Sequence, residues 1–259
     1  MTDAAAWAQG RIALITGATA GFGEALARRI VAGGGRVIAT GRRAERLQAL
    51  ADAAPEGTIL PRTMDLRDAA SIAEALADLP AQFQAIDVLF NNAGLALGLA
   101  RSPDVKLSDW ETMIETNVMG LARITHAVLP GMVERNKGDI INMSSIAGDY
   151  PYPGGNIYGA TKAFVRQFSL NLRADLLGTA VRVTSIEPGM CDTEFSLVRF
   201  GGDKAKADEV YAGMTPLSAE DIAGLAETVL RLPPHVNINS IEVMPVQQAF
   251  SAFAVSRQG

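Results

Sequence analysis

A chain of 259 residues with 48% hydrophobic and 20% charged side chains, and a mean hydropathy of +0.15, can bury a full core and lies outside the disordered class. Its net charge of −5 and isoelectric point near 5.2 argue against a surface built to neutralise nucleic-acid phosphates or anionic lipid, so neither nucleic acid nor membrane is an expected partner. One cysteine, Cys191, excludes an internal disulfide, two histidines leave little for a zinc site, and no run of about 18 apolar residues spans a bilayer; with no signal-like start, the chain reads as metal-free and cytoplasmic.

In chain order the periodicity predicts a strand at residues 11–16, a helix at 23–33, a strand at 36–40, a helix at 44–54, a strand at 58–64 and a helix at 68–79. A strand follows at 86–90, a long helix at 109–136, a strand at 139–144, a helix at 161–178, a strand at 181–186, a helix at 219–232 and a strand at 239–244. Apolar strands separated by helices imply an α/β fold: a single-domain, Rossmann-type doubly wound sheet of seven parallel strands with helices on both faces, covering residues 1–259. Ligands bind such sheets beyond the carboxyl ends of the strands, so the site is expected in the turns there. The irregular, glycine-containing stretch 189–217 after the sixth strand reads as a lid over that site.

The first strand runs into Thr16-Gly17-Ala18-Thr19-Ala20-Gly21-Phe22-Gly23 and then a helix. Glycines permit a tight turn and close approach to a pyrophosphate, which the helix N-terminus attracts, so Gly17, Thr19, Gly21, Phe22 and Gly23 are candidate dinucleotide contacts. The second strand ends Ala39-Thr40-Gly41-Arg42-Arg43, with no acid to accept from a ribose 2′-hydroxyl. Charge-assisted contacts to a phosphate contribute on the order of 1.5–3 kcal/mol each, so Arg42 and Arg43 point to NADP rather than NAD.

Of the four tyrosines, only Tyr158 has a lysine four residues on, Lys162. On a helix the pair shares a face. Moving a phenol pKa from near 10 to about 7 requires roughly 4 kcal/mol, which one ammonium about 4 Å away supplies at an effective dielectric of about 20. A serine hydroxyl facing the same spot can hold a carbonyl oxygen while the phenol delivers a proton. Ser144 and Ser145 end the fifth strand, and neighbouring strand residues point to opposite faces, so one of the two is expected to serve. No G-x-S-x-G elbow or P-loop is present, and His126 and His235 read as structural.

Together these residues resemble the short-chain dehydrogenase/reductase family over about residues 11–248. The matching pieces are Thr16 to Gly23, Asn91-Asn92-Ala93-Gly94, Asn117, Ser145, Tyr158-x-x-x-Lys162, and Pro188-Gly189 with Thr193. The resemblance implies that Tyr158 is the acid/base, that Ser145 rather than Ser144 orients the substrate carbonyl, and that Lys162 holds the nicotinamide ribose while lowering the Tyr158 pKa. It further implies that Asn117 anchors a water that relays protons. Asp65 with Leu66 would bind at the adenine, Asn92, Ala93 and Gly94 along the adenine-ribose side, and Pro188, Gly189 and Thr193 at the nicotinamide. Family members are mostly homotetramers, paired through the long helices and the last helix and strand. The apolar tail Ala249–Val255 is expected to pack on a neighbouring subunit.

Longer stretches, such as GATAGFGEALARR and YPYPGGNIYGATKAFVRQFSLNLRADLLGTAVRVTSIEPG, are similar to the bacterial NADP-dependent 3-hydroxy acid dehydrogenases. That implies a small anionic hydroxy acid or aldehyde as substrate: serine, allo-threonine, or 3-hydroxypropionate and malonic semialdehyde. Sulfoacetaldehyde or another small aldehyde is an alternative substrate with the same chemistry. Such substrates need a cation in the pocket, and Arg199 in the lid is the candidate. A non-catalytic NADP-binding regulator is the reading from another class, and the intact Ser145, Tyr158 and Lys162 argue against it.

Overall fold

The computed structural model describes residues 6–251 and 253–257. Residues 1–5, 252, 258 and 259 of the expected domain, and with them Ala252 of the apolar tail, lie outside the described residues.

Strands and helices alternate as β1 (Ile12–Thr16), α1 (Gly21–Ala32), β2 (Arg36–Gly41), α2 (Ala44–Asp52), β3 (Ile59–Thr63), α3 (Ala69–Leu76), β4 (Val88–Asn91), α4 (Leu107–Ile114) and α5 (Leu121–Glu134). They continue as β5 (Gly138–Met143), α6 (Asn156–Asp175), β6 (Val181–Pro188), α7 (Glu194–Arg199), α8 (Lys204–Glu209), α9 (Ala219–Arg231) and β7 (Ser240–Val243). The seven strands form one sheet in the order β3-β2-β1-β4-β5-β6-β7, and all six pairings are parallel. The fold is therefore the Rossmann-type α/β sheet expected from the sequence. Strand order reverses between β1 and β4, which opens a crevice at their carboxyl ends.

Alternation along the strands builds two apolar layers. Ala13, Ile15, Val37 and Ala39 pack with Leu26 and Ile30 of α1 and with Ala223 and Ala226 of α9. Ile12, Leu14, Ile38 and Leu89 face the other way, onto Ile124 and Val128 of α5 and Leu172 of α6. The buried Arg182 ties the sheet to the chain beyond α9: its Nε donates to Asp139 Oδ1 at 2.5 Å, and its Nη1 to the carbonyls of Leu232 and Val236 at 3.2 and 3.0 Å.

Two expectations are refined. The single long helix predicted over 109–136 is α4 and α5 joined by a wider π-helical turn, Glu115–Gly120, which contains Asn117. Such turns bulge a helix locally and occur often at functional sites. The stretch 189–217, expected to be irregular, contains α7 and α8, whose starts are capped by Thr193 and Asp203 side chains accepting from Phe195 N and Lys206 N.

Candidate active site

Beyond the carboxyl ends of the strands lies a cleft of about 430 Å³, within the range of small-molecule sites. At one end the chain turns from β1 into α1. Gly17 and Gly21 have φ of +67° and +55°, which glycine adopts without strain. A Cβ on Gly23 would meet Gly17 O at 2.5 Å and Asn92 Nδ2 at 2.7 Å, so only glycine permits this closeness of turn and helix. Asn92 braces the turn by donating from Nδ2 to the carbonyls of Thr16 and Gly17 at 3.0 and 3.1 Å. Ala20, before α1, offers no side-chain cap, which leaves the first-turn amides to other acceptors.

The exposed Arg42, after β2, forms no hydrogen bond or ion pair among the described residues, and its charge helps hold the Asp65 carboxyl low, after the larger effect of Arg67. Arg67 Nη2 donates to Asp65 Oδ2 at 2.6 Å. Arg43, by contrast, is engaged. Its Nη2 and Nε donate to Thr19 Oγ1 at 2.7 and 3.2 Å, and its Nη1 to Glu194 Oε2 at 2.9 Å.

At the other end stands Tyr158, buried in the first turn of α6 against the ring of Phe195, 5.6 Å away between centroids. Burial pushes its phenol well above the ordinary value, while the Arg199 cation and, more weakly, the Ser145 hydroxyl pull it down. The Lys162 ammonium is 5.8 Å from the Tyr158 ring centroid and donates to Met143 O at 2.8 Å. Burial lowers its pKa to about 8. Burial thus holds the phenol high, where Lys162 alone was expected nearly to suffice to bring it to neutrality; the Arg199 guanidinium carbon lies 5.1 Å from the ring centroid, against 5.8 Å for Lys162 Nζ.

Ser145 Oγ donates to Pro188 O at 3.3 Å and accepts from Ala147 N at 3.1 Å, at the cleft wall beside Tyr158. Ser144 Oγ donates to Lys162 O at 2.7 Å and fixes α6 to the end of β5. Asn117 lies behind the cleft wall. Its Oδ1 accepts from Leu95 N at 2.9 Å, and its Nδ2 donates to Leu95 O at 2.8 Å and Thr161 Oγ1 at 3.1 Å. The amide donors are spent, so a water bound to this side chain has only the second lone pair of Oδ1. Gly94 passes so close that an added Cβ would lie 3.3 Å from Asn117 Oδ1 and 3.5 Å from Lys162 Nζ.

Arg199 completes the pocket. It lies 5.9 Å from the Tyr152 ring and 5.5 Å from the Phe195 ring, donates from Nη2 to Tyr152 Oη at 2.7 Å, and has no carboxylate partner among the described residues. Its buried Nε has no hydrogen-bond partner among the described residues. A cation held by rings and a phenol, with a donor left over, is matched to an anion from outside the chain.

The cleft brings together the sequence candidates Gly17, Thr19, Gly21, Phe22, Arg42, Arg43, Asp65, Leu66, Asn92, Ala93, Gly94, Ser145, Tyr158, Lys162, Pro188, Gly189, Thr193 and Arg199. Gly23 and Asn117 support it from behind. Sequence reasoning missed Arg67, Tyr152, Glu194, Phe195 and Phe253, which also line it. Phe253 comes from the apolar tail and meets Tyr152 edge-on at 5.0 Å, so part of the tail lies over this chain's own cleft. His126 and His235 are exposed and outside the cleft. Away from it, Asp149, Glu187 and Glu242 bring carboxylate oxygens within 4.8 Å of one another. Arg166 Nε lies 3.6 and 3.4 Å from Asp149 and Glu187 and supplies positive charge there.

The short chain dehydrogenase family model matches residues 11–199. The chain belongs to that family. It is 61% identical over 247 residues to the NADP-dependent 3-hydroxy acid dehydrogenase YdfG of Salmonella typhi, covering 95% of this chain and 99% of that one. It is 56% identical over 246 residues to serine 3-dehydrogenase of Rhizobium radiobacter, covering 95% and 98%. Among solved structures, the closed form of serine dehydrogenase complexed with NADP+ superposes with a TM-score of 0.91 at 57% identity, over 95% of this chain and 100% of that chain. As a member of this family the chain is an oxidoreductase, and no helix among its described residues is long and apolar enough to cross a membrane.

Proposed function

We propose that this enzyme is an NADP-dependent dehydrogenase of small 3-hydroxy acids, interconverting them with the corresponding semialdehydes. The observation that carries this reading is the Arg199 guanidinium, without a carboxylate partner among the described residues and set against the Tyr158 ring beside Ser145. A short substrate with an anion on Arg199 has its reacting carbon within reach of the phenol. The names of the relatives support the same substrate class.

The residues present fit NADP. The tight glycine turn and the uncapped start of α1 suit a pyrophosphate, and Arg42, without a hydrogen bond or ion pair among the described residues, suits a 2′-phosphate. Gly17, Thr19, Gly21 and Phe22 would hold the pyrophosphate side, with Gly23 supporting the turn. Arg42 would serve the ribose phosphate, with Arg43 beside it bracing the glycine turn through Thr19. Asp65 and Leu66 would serve the adenine, Asn92, Ala93 and Gly94 the adjoining ribose, and Lys162, Pro188, Gly189 and Thr193 the nicotinamide end. NADP(H), when bound, supplies or takes up the hydride.

The chain's own work is proton transfer and orientation. Ser145 donates to the substrate oxygen and Arg199 fixes its anionic end. Tyr158 gives the proton to that oxygen in reduction and removes it in oxidation. Lys162, charged below about pH 8, stabilises the phenolate that reduction leaves behind. Asn117 clamps the Leu95 peptide beside Lys162 and leaves one lone pair to order a water at the proton exit.

We further place the protein in the cytoplasm as a single NADP-binding domain, with 189–217 as the substrate lid, assembled as a homotetramer. Partly exposed Ile114, Met119, Val133 and Phe164 on the long helices support the assembly. The test of function is a panel of NADPH oxidation and NADP+ reduction assays with malonic semialdehyde, serine, allo-threonine, sulfoacetaldehyde and neutral aldehydes. The reading predicts the highest kcat/KM on the carboxylates. A preference for neutral aldehydes contradicts it, and a preference for sulfoacetaldehyde moves the substrate to the sulfonate class.

A further inference from the structure

Glu194, the first residue of α7, joins the lid to the opposite wall of the cleft. Its Oε1 accepts from Arg46 Nη1 at 2.6 Å, and its Oε2 from Arg43 Nη1 at 2.9 Å, across 148 and 151 residues of chain. Arg43 continues the chain of contacts by bonding Thr19 in the glycine turn at 2.7 Å. Thr193, immediately before, lies against the same turn: a Cβ on Gly21 would be 3.6 Å from its Cβ. At the far end of α7, Arg199 O accepts from Gly98 N at 2.9 Å and the Arg199 side chain reaches Tyr152. The short helix is thus fastened at both ends across the cleft, at its start through Glu194.

From this geometry we infer that Glu194 is a strap: its carboxylate, shared by Arg43 and Arg46, keeps the lid closed over the bound dinucleotide and thereby governs cofactor release and the placing of Arg199. The inference rests on the NADP reading above and divides the two adjacent arginines by task. Arg42, with no partner among the described residues, is left for the 2′-phosphate, whereas Arg43 is committed to Thr19 and Glu194. Glu194 is a positioning residue, since it acts on the reaction through α7. Arg46 does not line the cleft, so its removal disturbs the strap without touching a cofactor contact.

The ion pairs are between exposed groups, so the strap is weak and breaks readily, as release of product at each turnover requires. Removing it is expected to change rates by about threefold to tenfold, the range for a few exposed pairs acting together.

The experiment measures NADPH release from wild type, Glu194→Ala, Glu194→Gln, Arg46→Glu and Glu194→Ala/Arg46→Glu by stopped-flow nucleotide fluorescence, with the rate of trypsin cleavage at Lys204 and Lys206 in the NADP+-bound proteins as a second readout. Both readouts should rise about threefold or more in each single variant. Arg46→Glu should add nothing once Glu194 is gone, because the carboxylate it would repel is absent. The KM for the hydroxy acid should rise with them, while in Arg46→Glu, whose site lies outside the cleft, the single-turnover rate at saturating substrate stays within about twofold of wild type. Variants that release NADPH and resist trypsin as wild type does, or that act additively, overturn the strap. Wild type that fails to bind NADPH at all overturns instead the cofactor reading on which it rests.

Discussion

The Arg199 guanidinium lies 5.1 Å from the centroid of the Tyr158 ring. It thereby does two things: it opposes the desolvation that raises the phenol, and it keeps donors free for a substrate anion. Replacing Arg199 by Ala is expected to raise KM for malonic semialdehyde at least tenfold, as loss of a charge-assisted bond of about 1.5–3 kcal/mol requires, and to change KM for a neutral aldehyde of the same length by less than about threefold. Steady-state kinetics on both substrates check this, and equal effects remove Arg199 from the anion site.

Cofactor choice rests on Arg42. Exchanging it for Asp places an acceptor where the ribose hydroxyl of NAD would lie and repels a 2′-phosphate. The ratio of kcat/KM for NADPH over NADH should fall at least tenfold. An unchanged ratio places the phosphate elsewhere.

The pH response follows from the buried pair. Tyr158 is held protonated by burial, so reduction has its proton donor throughout the neutral range, whereas oxidation needs the phenolate and should accelerate as pH rises. Lys162 loses its charge near pH 8, so kcat/KM for reduction should be level below that value and decline above it. Lys162→Met should remove the inflection near 8 and lower the plateau. The same shift bears on stability. The native state holds Lys162 at about 8 against 10.5 for the ordinary side chain, so it binds fewer protons than the unfolded chain between those values, and this group's contribution to stability rises with pH across that window.

Arg182 provides a test of the fold alone. Changing it to Met leaves the Asp139 carboxylate without its 2.5 Å partner and the carbonyls beyond α9 without a donor. The expected loss is about 3–5 kcal/mol, read by denaturant unfolding. A loss below about 1 kcal/mol shows that Arg11, 3.5 Å from Asp139, compensates.

The sheet was legible in the sequence because its inner strands are buried on both sides and so stand out as apolar runs, as IALIT and VRVTSI do. The cleft's local motifs were legible because glycine turns and a Tyr-x-x-x-Lys pair impose fixed spacing. What stayed hidden depends on distant contacts. No local pattern foretold that the Lys162 ammonium would bond Met143 O, or that Arg199 from the lid would come nearer to the Tyr158 ring. Tyr152 and Phe253 meet across about a hundred residues, and Glu194 finds Arg43 and Arg46 only once the sheet has folded. The π-helical turn at Asn117 was likewise invisible, since its apolar spacing still reads as helix.

The most direct measurement is NADPH-dependent reduction of malonic semialdehyde by wild type and Tyr158→Phe, with NADPH binding measured in parallel by fluorescence. The account predicts turnover by wild type, a loss of about 10²–10⁴-fold or more in kcat for the variant, and nucleotide affinity within about threefold of wild type. Retained turnover in the variant, or no turnover of any short anionic carbonyl by wild type, would contradict it.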